Sequence, residues 1–417
     1  MKKLLGGYKF SIVLLASIIL GAILGVFLGH RASVLKPFGE LFLNLMFMVI
    51  IPLVFFSVTS AIANMKGMKR FGKVIGSTII VFLCTALAAS VIGVIGAFIV
   101  GPAKGIDYMA LKQMVSESSN SMQQIKHVGV LQQIVNAITV PEFASLFSKS
   151  NMLQLILFSA LLGISTASLG EKGEPITRFF TAAAHVMMQM VKIIMYYAPI
   201  GLGCYFASVI GALGPQILQG YLRIFILYII ISIIYYFGFF TLYAFLSGGK
   251  TAIQIFWKNA VVPTITALAT CSSAASIPVN LEFAKKMRVP KDVAETVIPL
   301  GANIHKDGSV IGGVMKITFL FGLFNKNMTN ISSIVSIIFI SFLVGAVMAA
   351  IPSGGMIGEM LILSIYGFSQ GLLPIIMVIS VIIDAPATVL NSTGNTVCSM
   401  MISRLVEGKE WIFNRAS

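Results

Sequence analysis

The sequence predicts an all-α polytopic membrane protein with roughly eight transmembrane helices plus two re-entrant helical hairpins. Three observations carry that prediction. Of 417 residues, 57% are apolar and only 10% charged, and the mean hydropathy is +0.96, far outside the range of soluble domains. At about 20 apolar residues per crossing, the chain has room for roughly eight spans and some shorter pieces. Finally, one apolar region, Val297 to Leu323, carries Asn303, His305, Lys306, Asp307 and Gly308 near its centre. Ionisable groups at that depth are expensive and usually face a protein interior or a water-filled cavity. Broken backbone is tolerated there only where it lines such a cavity. The stretch Ile298–Ser309 is therefore expected to be a discontinuous helix whose unwound middle holds a polar ligand or an ion.

A net charge of +15 would suit a nucleic-acid partner in a soluble protein. Here the Lys and Arg residues sit in short loops, as the positive-inside bias requires, so no nucleic acid is implied and lipid is the expected surroundings. Cys84, Cys204, Cys271 and Cys398 have neither metal nor CxxC spacing and read as free thiols. Lys2 and Lys3 precede an apolar run to Phe27 without a small-x-small cleavage site, so a retained first span is expected rather than a signal peptide.

The elements follow in order. Span 1 runs from Phe10 to Leu28 and span 2 from Leu41 to Ala63, with Pro52 inside it. The next loop carries Lys66, Lys69, Arg70 and Lys73, which places it and the N-terminus on the cytoplasmic side. Span 3 covers Val74 to Val100, and the polar piece from Gly101 to Ser150 is expected to be a partly helical external loop. Span 4 is Met152 to Ala167, and span 5 is Phe179 to Ile210, interrupted at Ala198-Pro199-Ile200-Gly201; span 6 is Leu222 to Leu246. The pattern then changes. Residues 251–288 fold back at Ser272–Pro278 as a first hairpin, the broken helix occupies 292–325, and a second hairpin over 331–368 turns at Pro352-Ser353-Gly354-Gly355. The last span, 372–405, carries the polar cluster from Asp384 to Asn395. Interrupted segments in two halves of one chain point to an inverted-repeat site near the bilayer midplane.

At these residues the chain resembles the dicarboxylate/amino acid:cation symporters, the glutamate-transporter homologues. The likeness is carried by Ser272-Ser273 with Ile277-Pro278-Val279, Pro299-Leu300-Gly301-Ala302, Asp307-Gly308, Pro352 with Gly354-Gly355, and Asp384 through Asn391-x-Thr393-Gly394. Weaker echoes lie at Ile51–Phe55 and Tyr197–Gly201. The resemblance implies an inverted-repeat fold and a homotrimer in the cytoplasmic (inner) membrane, with both termini cytoplasmic. It also implies a static scaffold of spans 1, 2, 4 and 5 (residues 8–66 and 137–215) and a mobile transport domain (72–100 and 217–405) that moves like an elevator, gated by the hairpin tips. No cofactor or enzymatic activity is implied. The resemblance assigns substrate binding to Ser272, Ser273, Ser309, Pro352, Ser353, Gly354, Gly355, Asp384, Ala387, Thr388 and Asn391. It assigns the cation or coupling site to Thr85, Gly301, Asn303, His305, Lys306, Asp307, Asn391 and Asn395.

The chain departs from the family where sodium is ligated. The family's unwound Asn-Met-Asp-Gly-Thr is His305-Lys306-Asp307-Gly308-Ser309 here; an Asp near the end of span 8 is Asn395; and a Tyr-x-x-Thr-Ser in span 3 becomes Phe82, Thr85 and Ala86. Two unit charges 4 Å apart repel by roughly 4 kcal/mol at an effective dielectric of 20. Lys306, paired with Asp307, is thus expected to stand in for the coupling cation, leaving Na+ or H+ as alternatives. A solvated Lys306 beside displaced sodium sites is the plainer reading. His305 is either a proton carrier or a hydrogen-bonded interior residue. Glu359 is the other acid to weigh, expected near a helix end facing water.

Acidic-substrate members hold a side-chain carboxylate with an Arg at the position of Ala387 or of Cys271. Lacking both, this chain has no bidentate partner for a second carboxylate. A small neutral amino acid such as Ser, Thr or Ala is favoured over a dicarboxylate, with Asp384 on its amino group; an Asp384 paired with Lys306 is the competing reading. The serines at the first tip also serve as helix caps. A channel or uniporter, and an intramembrane Ser hydrolase, are the rival classes; the hydrolase lacks a base at any recognisable spacing.

Overall fold

The structure, a computed structural model, describes residues 4–64, 69–101, 135, 139–148, 151–213, 216–348 and 354–413. Every regular element among them is helical. Helices α1 (Leu4–Leu28), α2 (Lys36–Ala63) and α3 (Lys69–Val100) match the first three expected spans. Most of the expected external loop lies outside the described residues; its described end carries one turn of 3-10 helix, Phe143–Phe147. Then come α4 (Met152–Ser168), α5 (Glu174–Met195) and α6 (Ala198–Leu213). The expected interruption of span 5 is a bend of 61° between its two parts.

Span 6 ends at a kink just after the expected Leu246. α7 (Gln216–Ile234) passes through a π-turn, Tyr235–Phe239, into α8 (Phe240–Thr270). A kink at Gly248 and Gly249 separates the end of the span from the first hairpin arm, and Gly249, at φ 67°, adopts a conformation that favours glycine. The arm reverses at Cys271, φ 46°, and returns as α9 (Ser273–Lys286). The tip is thus Cys271-Ser272, and the expected turn through Pro278 is instead the start of a helix. α10 (Lys291–Ile304) and α11 (Asp307–Leu323) are the two halves of the broken helix, separated by His305 and Lys306 in non-helical conformations. α12 (Ile331–Val347) and α13 (Gly354–Ile365) pack on each other; Pro352 and Ser353 of the turn expected between them lie outside the described residues. α14 (Leu373–Glu407) closes the order.

Four helical stretches among the described residues are long and apolar enough to cross a membrane, and a fifth arises if the bent α5–α6 pair is one span. The shortfall from eight has a physical cause. Ala16–Ser60 and Ile217–Thr270 each run consecutive segments together, while α4, α12 and α13 are short apolar helices. The described residues are thus all-helical, with several apolar helices of the kind a polytopic membrane protein has, and one helix broken at its middle.

Two groups of helices result. α1, α2, α4, α5 and α6 pack on one another, with α1 set directly on α6: a Cβ added to Gly21 would overlap the carbonyl of Gly203. Small residues allow this backbone approach between membrane helices. In the second group α14 is the hub, touching α3 and α7 through α11 as well as α13.

Candidate functional site

Ser380, Asp384, Thr388, Asn391 and Asn395 are spaced four, four, three and four residues apart on α14. That spacing places them on one helix face over about 22 Å of its length. The broken helix lies along this face.

Breaking a helix leaves backbone donors and acceptors without intrahelical partners, and the polar residues of α14 meet that need. The Ser309 N–H in the first turn of α11 donates to Asn391 Oδ1 at 3.2 Å, while Asn391 Nδ2 donates to Ser309 Oγ at 3.1 Å. Tyr228 donates its hydroxyl to the carbonyl of Gly308 at 2.8 Å. Asp307 begins α11, where a carboxylate favours the positive end of the helix dipole. Contact is close enough that a Cβ at Gly308 would overlap the Ala387 backbone and one at Gly301 would overlap the Asn395 side chain.

His305 is the centre of the break. Its ring is 2% exposed and stacks on Phe82, with centroids 4.0 Å apart. Nε2 lies 2.7 Å from Thr85 Oγ1, and Nδ1 lies 2.7 Å from Asn395 Oδ1. Nε2 is also 3.1 Å from Asp307 Oδ1. That last contact is electrostatic rather than a well-aligned hydrogen bond, since Oδ1 has no hydrogen-bond partner among the described residues. The Tyr235 hydroxyl lies 2.9 Å from Asp307 Oδ2 and 3.0 Å from the Thr85 carbonyl, either of which can accept its one proton, and 3.0 Å from the Tyr243 hydroxyl.

Thr85, Asp307 and Asn395 are three positions at which the family resemblance expects sodium ligation, and here all three surround one imidazole. A sodium ion among these oxygens would have to displace His305. The expectation for Lys306 is corrected accordingly. Asp307 is engaged by His305 and Tyr235, and Asp384, the alternative partner, is close enough to act on Lys306 electrostatically. Lys306 itself is 8% exposed. Asp384 keeps an accessible side chain even though protein surrounds it on most sides.

The remaining candidates divide. Thr388 and Ala387 are buried on α14 beside the break. Gly354 and Gly355 start α13, while Pro352 and Ser353 lie outside the described residues. Ser272 caps α9, accepting from the Ala275 N–H at 3.2 Å, and Ser273 is buried next to it. The hairpin is tied to α14 by Asn280, whose Nδ2 donates to Ser392 Oγ at 2.8 Å. Asn303 does not join the coupling cluster: it is exposed and donates to the carbonyl of Pro299 in its own helix.

Glu359 is the clearest correction. It does not face water: it is fully buried, 3.0 Å from the ammonium of Lys316. Ser380 joins both, accepting from Lys316 and donating to Glu359 Oε1. Sequence reasoning missed Lys316, although a single cation between Asp307 and Lys326 in an otherwise apolar helix was a visible signal. Tyr228 and Tyr235 were missed as ordinary aromatic residues of an apolar span.

A helical membrane protein with a broken helix and buried polar groups facing a central helix has the features of a carrier, not of an enzyme. The sodium:dicarboxylate symporter family matches residues 10–405, and the chain belongs to it. The chain is 28% identical to a proton/sodium-glutamate symport protein of Bacillus caldotenax over 411 residues, covering 97% of this chain and 95% of the relative. It is 30% identical to a C4-dicarboxylate transport protein of Bacillus subtilis (strain 168) over 360 residues, 84% of this chain and 82% of the relative. A proton/glutamate-aspartate symporter of the same organism is 24% identical, covering 99% and 98% of the two chains.

Proposed function

We propose that this chain is a secondary active symporter of the cytoplasmic (inner) membrane that carries a small amino acid, favoured neutral such as serine, threonine or alanine. The observation that carries the reading is the α14 face: an accessible Asp384 beside buried Lys306, next to a helix break capped by Asn391. Asp384 takes the substrate amino group, and Ser309, Thr388 and Asn391 line the path beside it. The absence of a guanidinium at positions 271 and 387 supports a neutral side chain. A dicarboxylate or acidic amino acid is the second reading, supported by the relatives' names and by Lys306 as a carboxylate partner.

Coupling follows from the break. His305, rather than Lys306, is the group seated among the oxygens of the expected sodium site. A protonated imidazole there supplies the positive charge that the ion would bring, so transport is proton-coupled or sodium-independent. The helix group α1, α2 and α4–α6 is the scaffold (8–66, 137–215), and residues 72–100 and 217–405 move against it as an elevator in a homotrimer. The basic loop at 66–73 keeps the N-terminus cytoplasmic, and with it the C-terminus.

The test is the thermal stability of the purified protein in sodium chloride against choline chloride, each with a panel of neutral and acidic amino acids and C4-dicarboxylates. A ligand that binds only the folded state raises stability by RT ln(1 + [L]/Kd). The reading expects stabilisation by a neutral amino acid irrespective of sodium. Stabilisation only by glutamate or succinate with sodium overturns both the substrate and the coupling assignment.

A further inference from the structure

A second set of buried charges lies away from the break. Lys316 stands nine residues after Asp307, about 13 Å further along α11. Its ammonium meets Glu359 of the second hairpin and Ser380 of α14. Lys316 is 1% and Glu359 0% exposed. Such a pair is costly to bury, and replacing one with apolar residues is often neutral or stabilising. Stability alone therefore does not account for it, and intramembrane ionisable residues mark ion or proton pathways by default.

Three further observations give the pair a direction. Glu359 Oε2 is buried and has no hydrogen-bond partner among the described residues; an unpaired oxygen at that depth is costly. Asp384 lies one turn along α14 from Ser380, which the Lys316 ammonium contacts. Ser380 is only half-buried and hydrogen-bonds Glu359, so its hydroxyl links the accessible side of Asp384 to the enclosed carboxylate. The other helices packed on α13, namely α12 and α4, bring no titratable side chain. The charged groups to consider are thus Lys316, Asp384 and, beyond Asp384, Lys306.

We propose that Glu359, Lys316 and Ser380 form a proton-binding site of the carrier, separate from the helix break and linked to the substrate site through Lys316. A proton from the medium adds to Glu359 Oε2. The ionic contact with Lys316 Nζ is lost, and Lys316, keeping all its protons, turns its charge towards Asp384. No other covalent bond forms or breaks. The positive charge gained by the cluster is thereby delivered to the substrate side of α14, where it attracts the carboxylate that an amino acid or a dicarboxylate both carry. Because Glu359 lies on a hairpin arm, the same step loosens the arm's attachment to α11.

This inference rests on the symporter reading, and its test separates the two. The full chain in liposomes is titrated while the infrared band of protonated carboxylic acids is followed, a readout that needs no transport. The native protein is expected to gain that band on acidification and Glu359→Gln to lose it. In parallel, uptake of labelled serine, glutamate and succinate is measured with and without a pH gradient, beside exchange at equal pH. Glu359→Gln is expected to keep exchange and lose the acid stimulation of net uptake, about tenfold per pH unit for one proton carried. Lys316→Met/Glu359→Leu, which removes both charges, is the variant to use if the single change does not fold, with the same loss expected. A native protein without the band, or variants that keep both band and acid stimulation, overturn the proposal. A band that Glu359→Gln removes, without uptake of any of the three probes, leaves the proton site standing and sinks the symporter reading.

Discussion

Two polar clusters lie on the same face of α14, and they bury charge in different ways. Around His305, one ring is held by several oxygens and a stacked Phe82, and the neighbouring carboxylate has Tyr235 as a donor. Around Lys316, two formal charges meet directly beside one bridging serine, and a carboxylate oxygen is left over. The first cluster distributes its charge over many short contacts. The second concentrates it in one contact that a single proton can undo. A buried polar network is robust when every member is satisfied and sensitive when one is not. The contrast assigns the first cluster to standing in for an ion at the break and the second to responding to protons.

The largest effect should come from splitting the concentrated pair. Lys316→Met alone leaves Glu359 buried without a counter-charge and should cost about 3–5 kcal/mol. Adding Glu359→Leu should restore most of that loss, as read by thermal unfolding of the purified protein. Equal damage in the single and double variants would remove the asymmetry between the clusters. Next comes His305→Ala, which leaves the oxygens of Asn395 and Asp307 without their ring and should cost about 1–3 kcal/mol. Vacating that space should also let sodium chloride raise the unfolding temperature where it does not in the native chain; no sodium response would mean that His305 does not occupy an ion's place. The smallest effect belongs to Ser272→Ala. It removes an uncharged helix cap for about 0.5–2 kcal/mol and should leave the pH response of uptake untouched, a baseline against which the charged sites are read.

Much of this architecture was legible in the sequence, because membrane helices announce themselves by length and their breaks by polar residues out of place. The break at His305-Lys306, the chain reversal near Ser272 and the short apolar helices α12 and α13 all follow from that rule. Partnership was less legible. Lys306 had two possible partners in the sequence, its neighbour Asp307 and Asp384, 78 positions later, and chain order could not choose between them; the structure gives Asp307 to His305 and Tyr235. Glu359 was judged by its distance from a helix end, whereas its surroundings are set by α11 and α14. Tyr235 could not be told from its aromatic neighbours, since only the π-turn it begins and the carboxylate it reaches distinguish it.

The close approaches at Gly301 and Gly308 have a mechanical consequence. With backbone and short side chains in direct touch on either side of the break, there is no slack in which a changed ligand or proton could be absorbed by a rotamer adjustment. Force applied at Asn395 or Ala387 passes straight into both halves of the split helix. The pieces are therefore geared to the central rod, and whatever shifts one tooth must carry the whole train with it.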